Sequence, residues 1–345
     1  MKIVSIRQYP TQHIHDAWIK SITNKDNKSI YYIPLFFIKA KLLNKLIWYN
    51  RILNQFFSLF RIFNMPSADV YLVDGFKAIL PALINKGNKK IILINSDTFL
   101  STYSKQNFIV RLIYKWYITH VDYFICTSKM MVEQTSQFSD KPKYQVYPFY
   151  DNVQFKDASC SIQSSNLCSI STAKFCKRPD IMIEAFHKFR KKYPNAKLFV
   201  CDGGTYGGEG LNESLEFIKK QPNVVTPGLC NPIPYLKKSG LYINTSQHES
   251  FGVNILEAMV AGIPPVISKF CGAKDLVEQV DSSLVCDLDS QEFANRLIEL
   301  HQNKKKKLEL GKKCRIVAKK HTRSYSINEF RKVIELITQD IKTKI

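Results

Sequence analysis

Short apolar runs of four or five residues alternate with segments of helical periodicity along the whole chain. After one such run, Pro179 and Asp180 stand where a helix would begin, and an apolar stripe of Met182, Ala185, Phe186 and Phe189 follows. This alternation predicts an α/β protein built on parallel sheets. The strand-like runs are Lys2–Ile6, Val70–Val73, Ile91–Asn95, Tyr123–Cys126, Leu167–Ser171, Lys197–Cys201, Leu241–Asn244 and Pro265–Ser268.

The chain is long enough for more than one core. At roughly 150 residues per domain, 345 residues predict two domains, and the serine-rich stretch Ala158–Ser165 is the expected linker between them. Apolar residues make up 45% and charged residues 23% of the sequence, which is ordinary for globular proteins and excludes disordered, collagen-like and coiled-coil classes.

Cysteine usage and the absence of a recognisable targeting signal predict a cytoplasmic protein. Nine cysteines without a C-x-x-C spacing indicate reduced thiols and neither a disulfide framework nor a zinc site. Charges interrupt Met1–Pro10, so it lacks the apolar region of a signal peptide, and no run of about 20 apolar residues that would span a bilayer is present.

Net charge is the unusual quantity in the composition. Fifty Lys and Arg residues against 29 Asp and Glu residues give +21, spread over both halves of the chain. A positive charge of this size attracts polyanions. Composition alone does not decide whether the partner is nucleic acid, an anionic membrane face or a phosphate-bearing small molecule.

One N-terminal stretch, residues 27–68, contains no acidic residue. Within it, residues 36–63 (FFIKAKLLNKLIWYNRILNQFFSLFRIF) mix lysine and arginine with large apolar side chains, as does Lys105–Tyr117 farther on. A basic amphipathic helix of this composition suits an anionic bilayer surface. The alternative is a core-facing helix whose lysines cover its solvent side.

The segment Asn244–Gly272 (NTSQHESFGVNILEAMVAGIPPVISKFCG) holds the clearest chemical signal. After the strand Leu241–Asn244, a polar loop leads to Gly252 and to a helix expected to begin near Val253. Unpaired amides at such a helix start, with the positive dipole end behind them, bind a diphosphate without a metal. Glu249 in the loop and Glu257 one turn inside the helix can then face one ligand, although two glutamates with no shared role remain the alternative.

This segment resembles the signature of retaining glycosyltransferases with the GT-B fold, the large family 4 type of group 1. The family pattern is E-x7-E with F-G after the first Glu, which Glu249-Ser250-Phe251-Gly252 and Glu257 reproduce. Thr172–Phe186 resembles the family's basic diphosphate segment, and Cys201-Asp202-Gly203-Gly204 resembles its strand-end glycine turn.

The resemblance implies a fold and a division of labour. Two Rossmann-like domains would face each other across a cleft, with the acceptor bound by residues 1–155 and the nucleotide sugar by residues 165–325. The C-terminal helix, residues 326–345, would pack back on the first domain.

The resemblance also implies roles for individual residues. Glu249, beside the transferred sugar, and Lys177, against the departing diphosphate, would be catalytic. The remaining donor-binding residues would be Glu257 on the ribose, the Gly252 and Val253 amides on the diphosphate, and Phe251, Ser250, Gly203, Lys174 and Arg178 around them.

Three departures from the family pattern concern mainly the acceptor side. Thr172 stands where an arginine is usual, residues 7–17 contain no glycine, and Asn95-Ser96-Asp97 replaces a histidine of the first domain. On that side, the candidate acceptor contacts are His13 and His15, in what we expect to be an extended surface loop, together with Asp97 and His120. For His120, which precedes a strand, a packing role is favoured over a role in the reaction.

The predicted reaction is transfer of a hexosyl unit from an NDP-sugar of UDP or GDP type to a hydroxyl, with retention of configuration. No cofactor and no metal are expected. The expected acceptor is a lipid-linked or membrane-proximal glycan, with an anionic membrane surface as a further partner and a peripheral location on its inner face. The rival hypothesis is a basic nucleic-acid-binding or otherwise non-catalytic protein on the same scaffold, although no nucleic-acid-binding motif accompanies the charge.

Overall fold

The structure is a computed structural model and describes residues 1–7, 13–24, 27–31, 65–96, 99–150, 155, 161–170, 175–202 and 211–344. The basic–aromatic segment 36–63 lies outside these residues. The chain divides into two compact units. Unit 1 comprises Met1–Tyr147 and Ser326–Ile345, and unit 2 comprises Pro148–Tyr325.

Unit 1 is built on a six-stranded parallel sheet in the order β2-β1-β3-β4-β5-β6. The strands are β1 (Ile3–Arg7), β2 (Lys28–Tyr31), β3 (Val70–Asp74), β4 (Lys90–Asn95), β5 (Tyr123–Cys126) and β6 (Lys143–Gln145). The helices between the strands are α1 (His13–Ile22), α2 (Ile79–Ile84), α3 (Phe108–His120) and α4 (Lys129–Ser136).

Both faces of the four central strands of this sheet are buried, as expected for a parallel sheet covered by helices. Side chains alternate between two core clusters, so that Tyr71 and Val73 lie on one face and Val70 and Leu72 on the other. The second cluster is completed by the C-terminal helix, which contributes Phe330, Val333, Ile334, Ile337 and Ile341.

Unit 2 contains a second six-stranded parallel sheet in the order β12-β11-β10-β7-β8-β9. Its strands are β7 (Leu167–Ile170), β8 (Leu198–Asp202), β9 (Val224–Leu229), β10 (Leu241–Asn244), β11 (Pro265–Ser268) and β12 (Val285–Cys286). Its helices are α5 (Pro179–Arg190), α6 (Leu211–Lys219), α7 (Ile233–Lys237), α8 (Val253–Val260), α9 (Lys274–Glu278), α10 (Ser290–Gln302) and α11 (Lys304–Ala318). The last helix of the chain, α12 (Arg323–Thr343), begins at the end of unit 2 and lies mostly in unit 1.

The eight strands predicted from apolar runs are present, three of them with identical bounds and the others displaced by one residue at one or both ends. The predicted starts of α5 at Pro179 and α8 at Val253 are confirmed, and the four residues of the α5 stripe are buried. Four strands, β2, β6, β9 and β12, were not predicted. They are the edge strands of the two sheets.

Membrane-spanning helices are absent from the part of the chain that the structure describes, since none of its helices is both long enough and apolar enough.

Candidate functional site

The strand order of unit 2 places a topological switch point between β7 and β10. These strands are neighbours, and the chain leaves them in opposite directions along the sheet, to β8 and to β11. Ligands of open parallel sheets bind outside the carboxyl ends of the strands at such a point. The segment after β7 and the loop after β10 meet there, and they contain most of the predicted donor-binding residues.

The loop after β10 is hydrogen-bonded to the turn that precedes α5. The hydroxyl of Thr245 donates to the backbone oxygens of Lys177, at 2.9 Å, and Arg178, at 3.0 Å. The backbone amide of Gln247 donates to the oxygen of Cys176 at 2.8 Å. These bonds fix the backbone position from which the Lys177 side chain extends.

The same loop is held on its other side by residues that follow β11. The amide of Glu249 donates to the oxygen of Phe270 at 3.2 Å, and the oxygen of Glu249 accepts from Gly272 at 2.9 Å. The oxygen of Phe251, a buried residue, accepts from Ala273 at 2.8 Å. The backbone of Glu249 is therefore constrained in both directions before any ligand binds.

Lys177 and Glu249, the two predicted catalytic residues, form an ion pair between Lys177 Nζ and Glu249 Oε2. Their side chains are only 17% and 16% exposed. Burial by itself lowers the pKa of Lys177, but the adjoining Glu249 carboxylate more than offsets this, so that the pKa lies above its ordinary value. The ammonium is therefore charged at neutral pH, and an incoming anion meets a fixed cation.

Gly252 ends the loop and caps α8 with a left-handed backbone, φ +92°. A Cβ at this position would lie 2.8 Å from Ile255 Cδ1 and 3.1 Å from Glu249 Cγ, so both conformation and space favour glycine. The Val253 and Asn254 amides belong to the first turn of α8 and have no acceptor within the helix. Asn254 Nδ2 donates to the oxygen of Ile170 and so joins this helix start to the end of β7.

Arg178 follows Lys177 in the chain and has a left-handed backbone conformation, φ 50°, immediately before α5. Its guanidinium donates to both carboxylate oxygens of Asp180, which raises the pKa of Arg178 and lowers that of Asp180. Arg178, Phe217 and Gln247 line a cavity of about 610 Å³ together with Asp180. The cation therefore faces open space next to the loop after β10.

Other predicted donor-binding residues are placed only in part. Glu257 lies one turn inside α8 and is half-buried, as are Ser250 and Val253. Lys174 and Gly203 fall outside the described residues, as does Asp97 of the acceptor side.

His15 does not lie in an extended surface loop, and that expectation was wrong. Residues 13–22 form α1, in which His15 is 3% exposed. Its Nδ1 lies 2.6 Å from Asp74 Oδ1, and its ring stacks on Trp18. The contact with Asp74 and the stacking explain why this residue is buried. His13 is the first residue of α1.

His15 belongs to a cluster of polar and charged side chains at the carboxyl ends of β1 and β3. Arg7, 1% exposed, donates to Asp16 at 2.7 Å, and its Nε lies 3.5 Å from Asp74. Burial raises the pKa of Asp74, but His15 and Arg7 outweigh it and keep the pKa below its ordinary value. The chain leaves β1 and β3 in opposite directions along the sheet, so this cluster marks the switch point of unit 1.

His120 is an exposed residue and does not pack in the core. It ends α3, where its Nδ1 lies 2.8 Å from the Trp116 oxygen. Because β5 starts three residues later, His120 lies at the amino edge of the sheet, opposite the edge at which Arg7 and Asp74 end their strands.

Two residues that position the site were not singled out from the sequence. Thr245 stands in a run of small polar residues directly after a strand, and Asn254 stands at the second position of a helix that begins after glycine. Side chains of these types commonly bond to backbone groups at strand and helix ends, which is the signal that points to them. Among the described residues, no group of three or more His, Cys, Asp or Glu side chains has the arrangement of a metal site.

Comparisons with known proteins find similarity to glycosyltransferases. Residues 163–317 match the profile described as "Glycosyl transferases group 1". An uncharacterized glycosyltransferase of Methanocaldococcus jannaschii, MJ1059, is 26% identical over 290 residues, which cover 76% of this chain and 69% of that protein. The GDP-Man:Man(3)GlcNAc(2)-PP-Dol alpha-1,2-mannosyltransferase of Dictyostelium discoideum is 31% identical over 173 residues, 47% of this chain and 34% of that protein.

A solved structure is similar over almost the whole chain. It is that of Anabaena HepE in complex with UDP-glucose, with a TM-score of 0.75 and 17% identity. The match covers 97% of this chain and 99% of that one.

Proposed function

We propose that the chain is a retaining hexosyltransferase, because residues 163–317 match the glycosyl transferases group 1 profile and the chain has the GT-B fold. It transfers a hexosyl unit from a nucleoside-diphosphate sugar of UDP or GDP type to a hydroxyl group. The observation that supports this most directly is the Lys177–Glu249 ion pair, which lies at the switch point of unit 2 beside the open start of α8.

The chemistry follows from the arrangement of charges. As the bond between the anomeric carbon and the diphosphate oxygen breaks, its electron pair moves to the diphosphate. Lys177 and the Val253 amide are the groups that stabilise this charge, and Glu249 stabilises the positive charge that develops on the sugar. The acceptor oxygen bonds to the anomeric carbon on the face that the diphosphate leaves, and its proton passes to the departing phosphate oxygen.

The donor site extends from this centre along the switch point. Glu257 binds the ribose hydroxyls, and Arg178 supplies a second cation near the diphosphate, with Lys174 and Gly203 in the neighbouring turns. The proposed reaction uses no metal or other cofactor, so turnover is expected to persist in the presence of EDTA.

The proposed acceptor is a lipid-linked or membrane-proximal glycan. Support comes from the basic–aromatic composition of residues 36–63 and from a relative whose name includes a PP-Dol acceptor. A cytoplasmic protein that associates with the inner face of a membrane fits this acceptor. In unit 1, His15 and Asp74 lie at the switch point and are the proposed neighbours of the acceptor site, whereas His120 lies at the opposite edge of the sheet.

Donor class is tested by thermal shift with UDP, GDP, ADP and their common sugars, followed by turnover with the stabilising donor. We expect Lys177→Ala and Glu249→Ala to lower kcat by on the order of 10²-fold or more. Lys313→Ala and Glu309→Ala, which break an exposed ion pair on α11, are the matched controls and should leave turnover unchanged.

Two results would contradict the proposal. One is undiminished turnover in the Lys177 and Glu249 variants. The other is a product of inverted anomeric configuration in the NMR spectrum.

A further inference from the structure

The outward side of α3 is apolar although it faces solvent. Five large side chains on it recur at helical spacing, and we call them the α3 outer face: Phe108 (65% exposed), Ile109 (68%), Leu112 (50%), Ile113 (42%) and Trp116 (45%). The opposite side of the helix packs on the core of unit 1 through Tyr114, Tyr117 and Ile118. The helix is thus apolar on both sides, whereas a surface helix normally has one polar side.

The α3 outer face is large enough to be a binding surface. With aromatic side chains of ~150–250 Å² each, five side chains exposed to this degree present several hundred Å² of contiguous apolar area. Patches of that size on soluble proteins usually mark interaction sites. No other helix that the structure describes has five exposed large apolar residues.

The charges around this surface indicate what it binds. Residues 98–121 contain no acidic residue, and Lys105, Arg111 and Lys115 lie among or beside the apolar side chains. Lys105 and Lys115 are exposed, and Arg111 is half-buried. Tryptophan and phenylalanine beside lysine and arginine are typical of helices that lie in the headgroup region of anionic bilayers. Lysine is depleted in protein–protein interfaces, which favours a lipid surface over a protein partner.

The position of α3 in unit 1 is also suitable for membrane docking close to the proposed acceptor site. The helix starts at the edge where the strands of the first sheet end, with the Asn107 side chain accepting from the Val110 amide at 2.9 Å. Phe108 and Ile109 are therefore near the edge at which open parallel sheets bind ligands. A bilayer against this surface lies close to the edge where we place the acceptor.

We propose that the α3 outer face docks the protein on an anionic phospholipid surface, with the apolar side chains at headgroup depth and the basic side chains against lipid phosphates. This inference deepens the proposed function and relies on it for the identity of the acceptor. Binding to lipid is measured without turnover, so the two proposals can fail independently.

The test is flotation of the full chain with vesicles of phosphatidylcholine, with and without phosphatidylglycerol, at low and high salt. We expect binding only to the anionic vesicles and weaker binding at high salt. Leu112→Asp should reduce partition by on the order of tenfold, and Lys115→Glu by about fivefold or more, because one basic side chain contributes ~1 kcal/mol at an anionic surface. Leu336→Asp on α12 and Lys141→Glu before β6 change other exposed residues of unit 1 and are the controls.

Several outcomes would overturn the docking proposal. They are an unbound wild type, equal binding to neutral vesicles at all salt concentrations, or Leu112→Asp and Lys115→Glu variants that bind like the controls. Concentration-dependent dimerisation that Leu112→Asp abolishes would assign the surface to a second copy of the chain. Turnover of a short soluble acceptor should be unchanged in Leu112→Asp. A wild-type protein that binds anionic vesicles but turns over no NDP-sugar would count against the proposed function alone.

Discussion

The Lys177–Glu249 ion pair should couple the stability of unit 2 to its charge state. Each side chain is more than four-fifths buried, and each would remain as an unpaired charge if its partner were removed. Breaking a fully buried pair in this way costs about 3–5 kcal/mol, and the residual exposure of this pair lowers the expected cost to about 2–3 kcal/mol. We therefore expect Lys177→Met and Glu249→Gln each to destabilise unit 2.

The double variant distinguishes this explanation from loss of packing. With both charges replaced, no unpaired charge remains, so the double variant should be more stable than either single variant and close to the wild type in stability. For a unit of this size, about 2 kcal/mol corresponds to a Tm decrease of about 4–8 °C in thermal unfolding. The exposed pair Lys313–Glu309 on α11 serves as the control cycle, with an expected coupling of about 0.3–0.5 kcal/mol.

The pH dependence of this effect follows from the raised pKa of Lys177. Because the folded state favours the ammonium, the stabilisation is fully present below the unfolded pKa of about 10.4 and is lost as the pH rises through the higher folded value. The difference between wild type and Lys177→Met should be constant near neutral pH and should shrink only in strongly alkaline solution. Additive losses in the double variant, or unchanged Tm values in the single variants, would refute the reasoning.

Two further predictions concern a glycine and a carboxylate. Gly252→Ala should lower the free energy of unfolding by about 1–3 kcal/mol and weaken UDP binding in calorimetry, because the left-handed backbone and the contacts with Ile255 and Glu249 both oppose a Cβ. Gly228→Ala is the control for the backbone contribution, since Gly228 also has a positive φ but has nothing within 4 Å of the added Cβ. Equal losses of stability in the two variants would show that the contacts contribute nothing. Asp74→Asn should weaken the dependence of the free energy of unfolding on pH in acid, measured by urea unfolding. The stabilisation from the lowered pKa of Asp74 is present above the unfolded value of about 3.9 and is lost as the pH falls through the folded value. A loss of stability in acid as steep as that of the wild type would contradict the lowered pKa of Asp74.

The interior of each sheet could be predicted from the sequence, and the edges could not. Central strands such as β4 and β10 are buried on both faces and therefore read as continuous apolar runs. The four unpredicted strands pair on one side only, and two of them contain lysine, such as Lys28 in β2 and Lys143 in β6. Edge strands tolerate charge and irregularity, and this removes the pattern that identifies a strand.

The sequence predicts candidate residues for a donor site, but most of the contacts between these residues could not be predicted. The family resemblance predicted Glu249 and Lys177 near one ligand, yet these residues are 72 positions apart and their pairing depends on β7 lying next to β10. His15 shows the opposite case, since its sequence neighbourhood suggested a loop and the burial of its ring depends on Asp74, 59 residues away. Contacts of this kind arise from sheet order, which no local pattern encodes.

The assignment of most of α12 to unit 1 has a consequence for biosynthesis. Trp18 stacks on Phe330, and its indole nitrogen donates to the Ser326 hydroxyl at 2.9 Å, although about 300 residues separate these partners. Ribosomes add α12 only after all of unit 2 has been made. Until then the apolar surface formed by Ile3, Trp18 and Val70 has no cover from that helix. Although N-terminal domains generally fold first during synthesis, here the second unit can complete its core before the first. Chaperone dependence of the nascent chain should therefore concentrate on the half that emerges earliest.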